Sequence, residues 1–207
     1  TTITIGFFPY LERLLGVTTS IRLNELIKHD HPLIKRLINE ADGTYHHSIK
    51  VANMAEIAAE TIGANALLVK VAGYFHDVGK LNNPSYFIEN QNNAVNPHDE
   101  LTPHESAEII LRHSQDSVNL CRKYGLPESV LNIILKHHGN SRVEYFYRTA
   151  QKENENVNEE DFRYQTPLPV TKEESILLIA DSVEAYSRTL IHLDKNEIEF
   201  KIKELVQ

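Results

Sequence analysis

Gly73-Tyr74-Phe75-His76-Asp77-Val78-Gly79-Lys80 closes an apolar run, and the way it ends decides how the rest of the chain reads. Leu68, Val71, Ala72 and Phe75 recur at helical spacing, so the run predicts an amphipathic helix that stops near Gly79. The last turn of such a helix presents unpaired carbonyls with partial negative charge, a place that favours a cation. A neutral imidazole beside a carboxylate there, His76-Asp77, is a donor pair for a divalent metal ion. Alone, the pair is equally an ordinary polar helix end. Further His and Asp residues on other helices give it weight.

Upstream, Gly43-Thr44 marks a sharp start. Thr44 is a good N-cap, and Val51, Met54, Ala55, Ala58 and Ile62 make one apolar stripe ending at Gly63. His46 and His47 fall in the first turn, where neighbours differ by about 100° around the axis. At most one faces inward, and periodicity leaves open which. Residues 1–42 read as short helical pieces that pack on the main body. Phe7, Phe8, Leu11, Leu14 and Leu15 form a cluster, Ser20 caps a second piece and Pro32 opens a third.

Downstream, a polar segment rich in Asn and Pro runs from Leu81 to Leu101, about 20 residues, a length that within a domain implies a shaped site. Thr102-Pro103-His104-Glu105 is a capping box for a helix ended by Gly125, with His104 in its first turn and His113 in its middle. Pro127 opens another helix that ends at His137-His138-Gly139, again metal-capable side chains before a glycine. Tyr145, Phe146 and Tyr147 follow; they offer a nucleobase a stacking surface and are equally suited to a core. The acidic stretch after them reads as a mobile loop near 151–166. Thr171-Lys172-Glu173-Glu174 caps a helix that places Asp181 among Leu177, Leu178, Ile179 and Ala180. An ionised carboxylate there costs several kcal/mol unless paired or metal-bound. Asp194 caps a last amphipathic helix. No strand pattern and no repeat of 20–50 residues occurs, so an all-α fold is expected: a helical extension over 1–42 and a metal-binding helical domain over 43–207.

Composition narrows the function. The net charge of −8 argues against broad binding to polymeric nucleic acid. A small anionic substrate stays possible, because bound divalent ions reverse the local field. The single cysteine, Cys121, excludes an internal disulfide and suits a reducing cytosol. No run approaches the roughly 20 apolar residues that span a bilayer. A chain beginning at Thr1 without methionine is expected to be a piece of a longer protein.

Eleven histidines supply the donors. The candidate ligands are His47, His76-Asp77, His113 or His104, His137-His138 and Asp181. One ion takes three or four protein ligands, so a set this large points to two ions sharing an anionic ligand, with Asp77 the natural bridge. His47, His76, Asp77 and Asp181 would hold the first ion; Asp77, His113, His137 and His138 the second. Imidazole with carboxylate suits iron, manganese or zinc better than magnesium or calcium. Two such ions about 3.5–4 Å apart activate a shared water and clamp a phosphate for in-line attack. Lys80, one turn after His76, would neutralise a phosphate oxygen. No phosphate-binding glycine loop, Gly-x-Ser-x-Gly elbow or Cys-x-x-Cys occurs.

His47, His76-Asp77 and Asp181 resemble the H…HD…D signature of the HD-domain metal-dependent phosphohydrolases, and His113 with His137-His138 resemble its di-metal branch. More narrowly, the runs 43–48, 74–80, 84–91, 96–99, 137–139, 145–147 and 180–185 are similar to the cytosolic domain of the seven-transmembrane HD family (the PgpH type), which hydrolyses cyclic di-AMP. The resemblance implies His47 rather than His46, His113 rather than His104, a bridging Asp77, two Mn or Fe ions and linearisation of the cyclic dinucleotide to pApA. Asp77 and Lys80 are the catalytic candidates, and Lys80, Tyr145 and Tyr147 the candidates for substrate contact. The resemblance further implies a cytoplasmic domain of a membrane-embedded parent, with homodimerisation left open. Asn140 stands where the family more often has threonine, and Asp42 where proline is usual. The Gly-Tyr-Pro motif of the cyclic di-GMP branch is absent. The competing readings are an HD-class nucleotidase or triphosphohydrolase, which needs one metal, and a non-catalytic cyclic-dinucleotide sensor.

Overall fold

Two capping boxes and three left-handed glycines mark several helix limits in the computed structural model, which describes residues 18–91, 95–153, 157–190 and 195–206. The helices are α1 Ser20–Leu26, α2 Pro32–Glu40, α3 Asp42–Thr61, α4 Ala66–Phe75, α5 Pro103–Lys123, α6 Glu128–Leu135, α7 Glu144–Glu153, α8 Lys172–Ser187 and α9 Lys195–Val206. Short 3-10 turns link α4 to α5. Among the described residues the only β pairing is one isolated bridge between Arg142 and Arg163. No described helix is long and apolar enough to cross a membrane. The expected cluster from Phe7 to Leu15 and the Asp194 cap lie outside the described residues.

Thr102–Glu105 and Thr171–Glu174 form reciprocal capping boxes, as their spacing predicts. Gly63, Gly125 and Gly139 take positive φ values of 66°, 76° and 54° where α3, α5 and the turn after α6 end. Three limits differ from expectation. Thr19, not Ser20, caps α1. Helix α3 starts at Asp42 with no side chain capping it from Ala41, and Thr44 lies buried inside its first turn. Its N–H instead donates to Asn90 Oδ1 at 3.0 Å, so a residue far along the chain satisfies that helix start. Helix α4 stops at Phe75, and Val78–Asn82 continues as a 3-10 turn.

One apolar cluster unites Leu23 and Leu26 of α1, Leu33, Ile34 and Leu37 of α2, Val51 and Ala55 of α3, and Val69, Ala72 and Phe75 of α4. Val118 of α5, Ile134 of α6 and Leu177 of α8 join it. Residues 18–41 thus pack into the main core. Helix α3 lies along α4 and α8. Small residues allow the first contact: a Cβ on Gly73 would sit 2.7 Å from Ala52 Cα. A second, smaller cluster of Ala107, Ala150 and Phe162 seats α7 against α5. Described residues of the stretch near 151–166, expected as a mobile loop, take part in it. Phe162 is fully buried, and backbone N–H groups of Val143 and Tyr164 donate to Phe162 O and Ser141 O, which anchors the stretch over 157–166.

Candidate metal centre

Five elements deliver the ligands to one buried point. His47 comes from the first turns of α3, His76-Asp77 from the end of α4, and His113 from the middle of α5. His137-His138 follow α6, and Asp181 lies in mid-α8. His46, one residue from His47, is left exposed beside Asp42. His104 is exposed and rests on Phe162. All seven expected ligands converge.

Asp77 divides its two oxygens. Oδ2 faces His47 Nε2 at 3.4 Å and His76 Nε2 at 3.2 Å; Oδ1 faces His113 Nε2 at 3.2 Å and His137 Nε2 at 3.8 Å. Asp181 divides likewise: Oδ1 is 3.0 Å from His47 Nε2 and 3.6 Å from His76 Nε2, while Oδ2 is 3.6 Å from His138 Nδ1. His113 Nε2 lies 3.4 Å from His137 Nε2 and 3.2 Å from His138 Nε2. Three ligand groups, His47–His76–Asp181, His76–Asp77–His137 and His113–His137–His138, each place their donor atoms within 4.8 Å of one another.

The tautomers are fixed from outside. His76, His113 and His137 donate from Nδ1 to the carbonyl three residues earlier: Gly73 at 2.8 Å, Ile110 at 2.5 Å and Ile134 at 2.5 Å. His47 Nδ1 donates to Glu184 Oε2 at 2.6 Å. With a proton held on Nδ1, each Nε2 points inward, and it offers a lone pair once it carries no second proton. His113 and His137 then oppose two lone pairs at 3.4 Å, which cannot hydrogen bond to each other. His76 Nε2 and Asp77 Oδ1 are buried without a hydrogen-bond partner. Buried acceptors converging without donors between them are what a cation satisfies, and outer hydrogen bonds of this kind orient metal ligands. The donor set suits divalent metal ions.

Charge divides the cluster in the same way. Burial pushes His47 and His76 down, but Asp181, Asp77 and Glu184 around the first, and Asp77 and Asp181 around the second, outweigh it and raise them to about 11 and about 9. His137 is lowered to about 3 by burial and by His76 and His113. Burial and His137 hold His138 well below the usual imidazole range. Burial opposes ionisation of Asp77 and Asp181, yet the cations and imidazoles around them keep both well below the carboxylate range.

Lys80 lies between Asp77 Oδ2, 2.8 Å from its Nζ, and Glu89 Oε1, 2.6 Å away. Tyr147 is taken up by packing against Phe162, with the Arg142 guanidinium 4.1 Å above its ring; Tyr145 is 74% exposed. Three residues escaped the sequence reading. Glu184 orients His47, and its only signal is the spacing of three from Asp181, which puts both on one helix face. Glu89 holds Lys80. Tyr164 stacks on His138, ring centroids 4.3 Å apart and 27° between planes, and meets His113 edge-on.

Comparison with known proteins agrees with this geometry. The HD domain family profile matches residues 44–186. The chain is 43% identical to the cyclic-di-AMP phosphodiesterase PgpH of Bacillus subtilis, over 98% of its own length and 28% of that protein. It is 46% identical to the PgpH of Listeria monocytogenes, over 89% of its length and 26% of that protein. It therefore spans about a quarter of the length of these curated relatives. The structure of the L. monocytogenes phosphodiesterase PgpH HD domain in complex with cyclic-di-AMP superposes with a TM-score of 0.82 at 44% identity, covering 86% of this chain and 84% of that one. By a match over most of its length, and by likeness in sequence and shape, the chain belongs to the HD domain family.

Proposed function

We propose that this chain is a phosphodiesterase domain that hydrolyses cyclic di-AMP to pApA, with Mn or Fe ions held by the seven ligands. The observation that carries the reading is Asp77, whose two oxygens part between two imidazole sets. Likeness to relatives named for cyclic-di-AMP hydrolysis, and to an HD domain solved with that dinucleotide, supports the substrate.

His47, His76 and Asp181 would hold one ion, His113, His137 and His138 the other, and Asp77 both. Such a pair supplies Lewis-acid activation of water and charge stabilisation at the phosphate. The chain's residues do the holding and orienting. Glu184 and the three backbone carbonyls keep the imidazole tautomers productive before any ligand arrives. His138, the most exposed of the ligands at 23%, marks the open side of the cluster, and Tyr164 walls it there. Two divalent ions against the carboxylates of Asp77 and Asp181 leave local positive charge for a dianionic dinucleotide in a chain that is acidic as a whole. Lys80 and Glu89 cancel each other beside it. We also propose, from the resemblance to the seven-transmembrane HD family, a membrane-embedded parent with this domain on the cytoplasmic side.

The test is incubation of the metal-stripped domain with Mn²⁺ or Fe²⁺ and cyclic di-AMP, with chromatography of products and elemental analysis of the protein. Cleavage to pApA with close to two ions per chain is expected. No cleavage together with no bound metal would overturn the proposal, and one ion per chain with deoxynucleotide turnover would favour a nucleotidase.

A further inference from the structure

Glu89 and Lys80 form a buried ion pair to which the proposed chemistry gives no task. Their side chains are 8% and 12% exposed. Lys80 Nζ is shared by two carboxylates, Glu89 at 2.6 Å and Asp77 Oδ2 at 2.8 Å. The same Glu89 oxygen accepts a hydrogen bond from Thr44 Oγ1 at 3.2 Å. Glu89 is held by backbone as well. A Cβ on Gly43 would come within 1.8 Å of Glu89 O, Thr44 N–H donates to Asn90 Oδ1, and Asn90 Nδ2 donates to Thr44 Oγ1 and Pro84 O. The start of α3, which carries His47, therefore fixes Glu89 and through it Lys80.

We propose that Glu89 is a positioning residue for the metal centre, acting through Lys80 on the bridging carboxylate of Asp77. This rests on the reading that the cluster holds a pair of cations. Asp77 can serve both sets only if its carboxylate plane keeps Oδ2 toward His47 and His76 and Oδ1 toward His113 and His137. The ion pair of Lys80 Nζ with Oδ2, 2.8 Å apart, holds that plane from outside. A buried ammonium with Asp77 as sole counter-ion would settle fully on Oδ2 and compete with a metal ion for the same oxygen. Glu89 divides that attraction, so Lys80 orients Asp77 without neutralising it.

The experiment is a double-mutant cycle on the metal-stripped domain: wild type, E89Q, K80M and K80M/E89Q, read by calorimetric Mn²⁺ titration and by thermal melting of the metal-free proteins. E89Q is expected to weaken Mn²⁺ binding roughly 10- to 100-fold, the usual cost of losing an outer partner. In the K80M background the same change should do little, because Glu89 acts through Lys80. E89D, which keeps the charge, should stay near wild type and serves if E89Q does not fold. Wild-type Mn²⁺ affinity in E89Q, or losses that simply add across the cycle, would overturn this inference alone. A wild type that binds no Mn²⁺ would overturn it together with the reading beneath it.

Discussion

The two halves of the cluster meet at Asp77 but are built from different chemistry. The first surrounds two imidazoles, His47 and His76, with carboxylates from Asp77 and Asp181, and Glu184 stands behind His47. The second sets two imidazoles, His113 and His137, against the other oxygen of Asp77 and adds His138, the one member of this set that Asp181 reaches. Their proton affinities part accordingly: His47 and His76 are raised to about 11 and about 9, whereas His137 is lowered to about 3. The first half thus attracts positive charge before any ligand arrives, and the second offers neutral lone pairs. Carboxylate-rich donor sets favour harder divalent ions, and imidazole-rich sets softer ones. The second half also holds the most exposed ligand, His138, so exchange with solvent belongs to that side.

The largest effect is expected where the halves join. D77N keeps the shape of the bridge and removes its charge. It should lower metal content to one ion or fewer per chain and cut cyclic di-AMP turnover by more than the roughly 100-fold that loss of an outer partner costs. Elemental analysis and turnover measure both, and a D77N protein retaining two ions would break the shared-bridge picture. Next come two single-sided changes. D181N should empty the anionic half and H138A the imidazole half, each leaving close to one ion. Competition between Mn²⁺ and Zn²⁺ should shift toward Zn²⁺ in D181N and toward Mn²⁺ in H138A. Equal preference in both would show that the halves do not differ as their ligands imply.

A smaller effect should reach the imidazole half through Tyr164. Y164F keeps the ring on His138 and should bind metal like wild type. Y164A removes the stack and should weaken the second ion about tenfold, within the range for outer-shell changes, with the first unaffected in a stepwise titration. Equal affinities in the two variants would mean the ring does not hold His138.

What the sequence made legible follows the same division between chemistry and long-range placement. His76-Asp77 before Gly79, His137-His138 before Gly139 and the apolar surroundings of Asp181 were all readable, because ligand type and helix ends are local signals. Fold class followed from periodicity and two capping boxes. Glu184 was hidden because a glutamate within a helix ordinarily faces water, and only the partner across the bundle turns it inward. The start of α3 was misplaced because its cap, Asn90, lies 46 residues from Thr44. Tyr164 sat in a stretch read from its charge, where two buried aromatics, Phe162 and Tyr164, escape any compositional average. Between His46 and His47, periodicity gave no preference; packing of α3 on α8 decides it.

The smallest effect concerns what ties the halves together away from the ions. Glu174, at the third position of α8, accepts from Val170 N–H at 2.7 Å, Thr171 N–H at 3.1 Å and Lys136 Nζ at 2.7 Å. One carboxylate thereby joins the start of the helix that carries Asp181 to the turn that carries His137-His138. Burial pushes its acid strength down, but Lys136 and the two N–H donors outweigh burial and hold it below the ordinary carboxylate range. A group with a lower pKa folded than unfolded adds stability above its unfolded value, about 4.3 for glutamate, and loses it as pH falls through the folded one. E174Q should therefore cost on the order of 1 kcal/mol at pH 7, typical of a damaged cap, or about 2–4 °C in melting temperature for a chain of this size. The gap to wild type should narrow as pH falls below the unfolded value and through the lowered folded one, where the wild-type carboxylate takes up its proton. A gap that holds its size from neutral to acid pH would mean that shape rather than charge makes the tie.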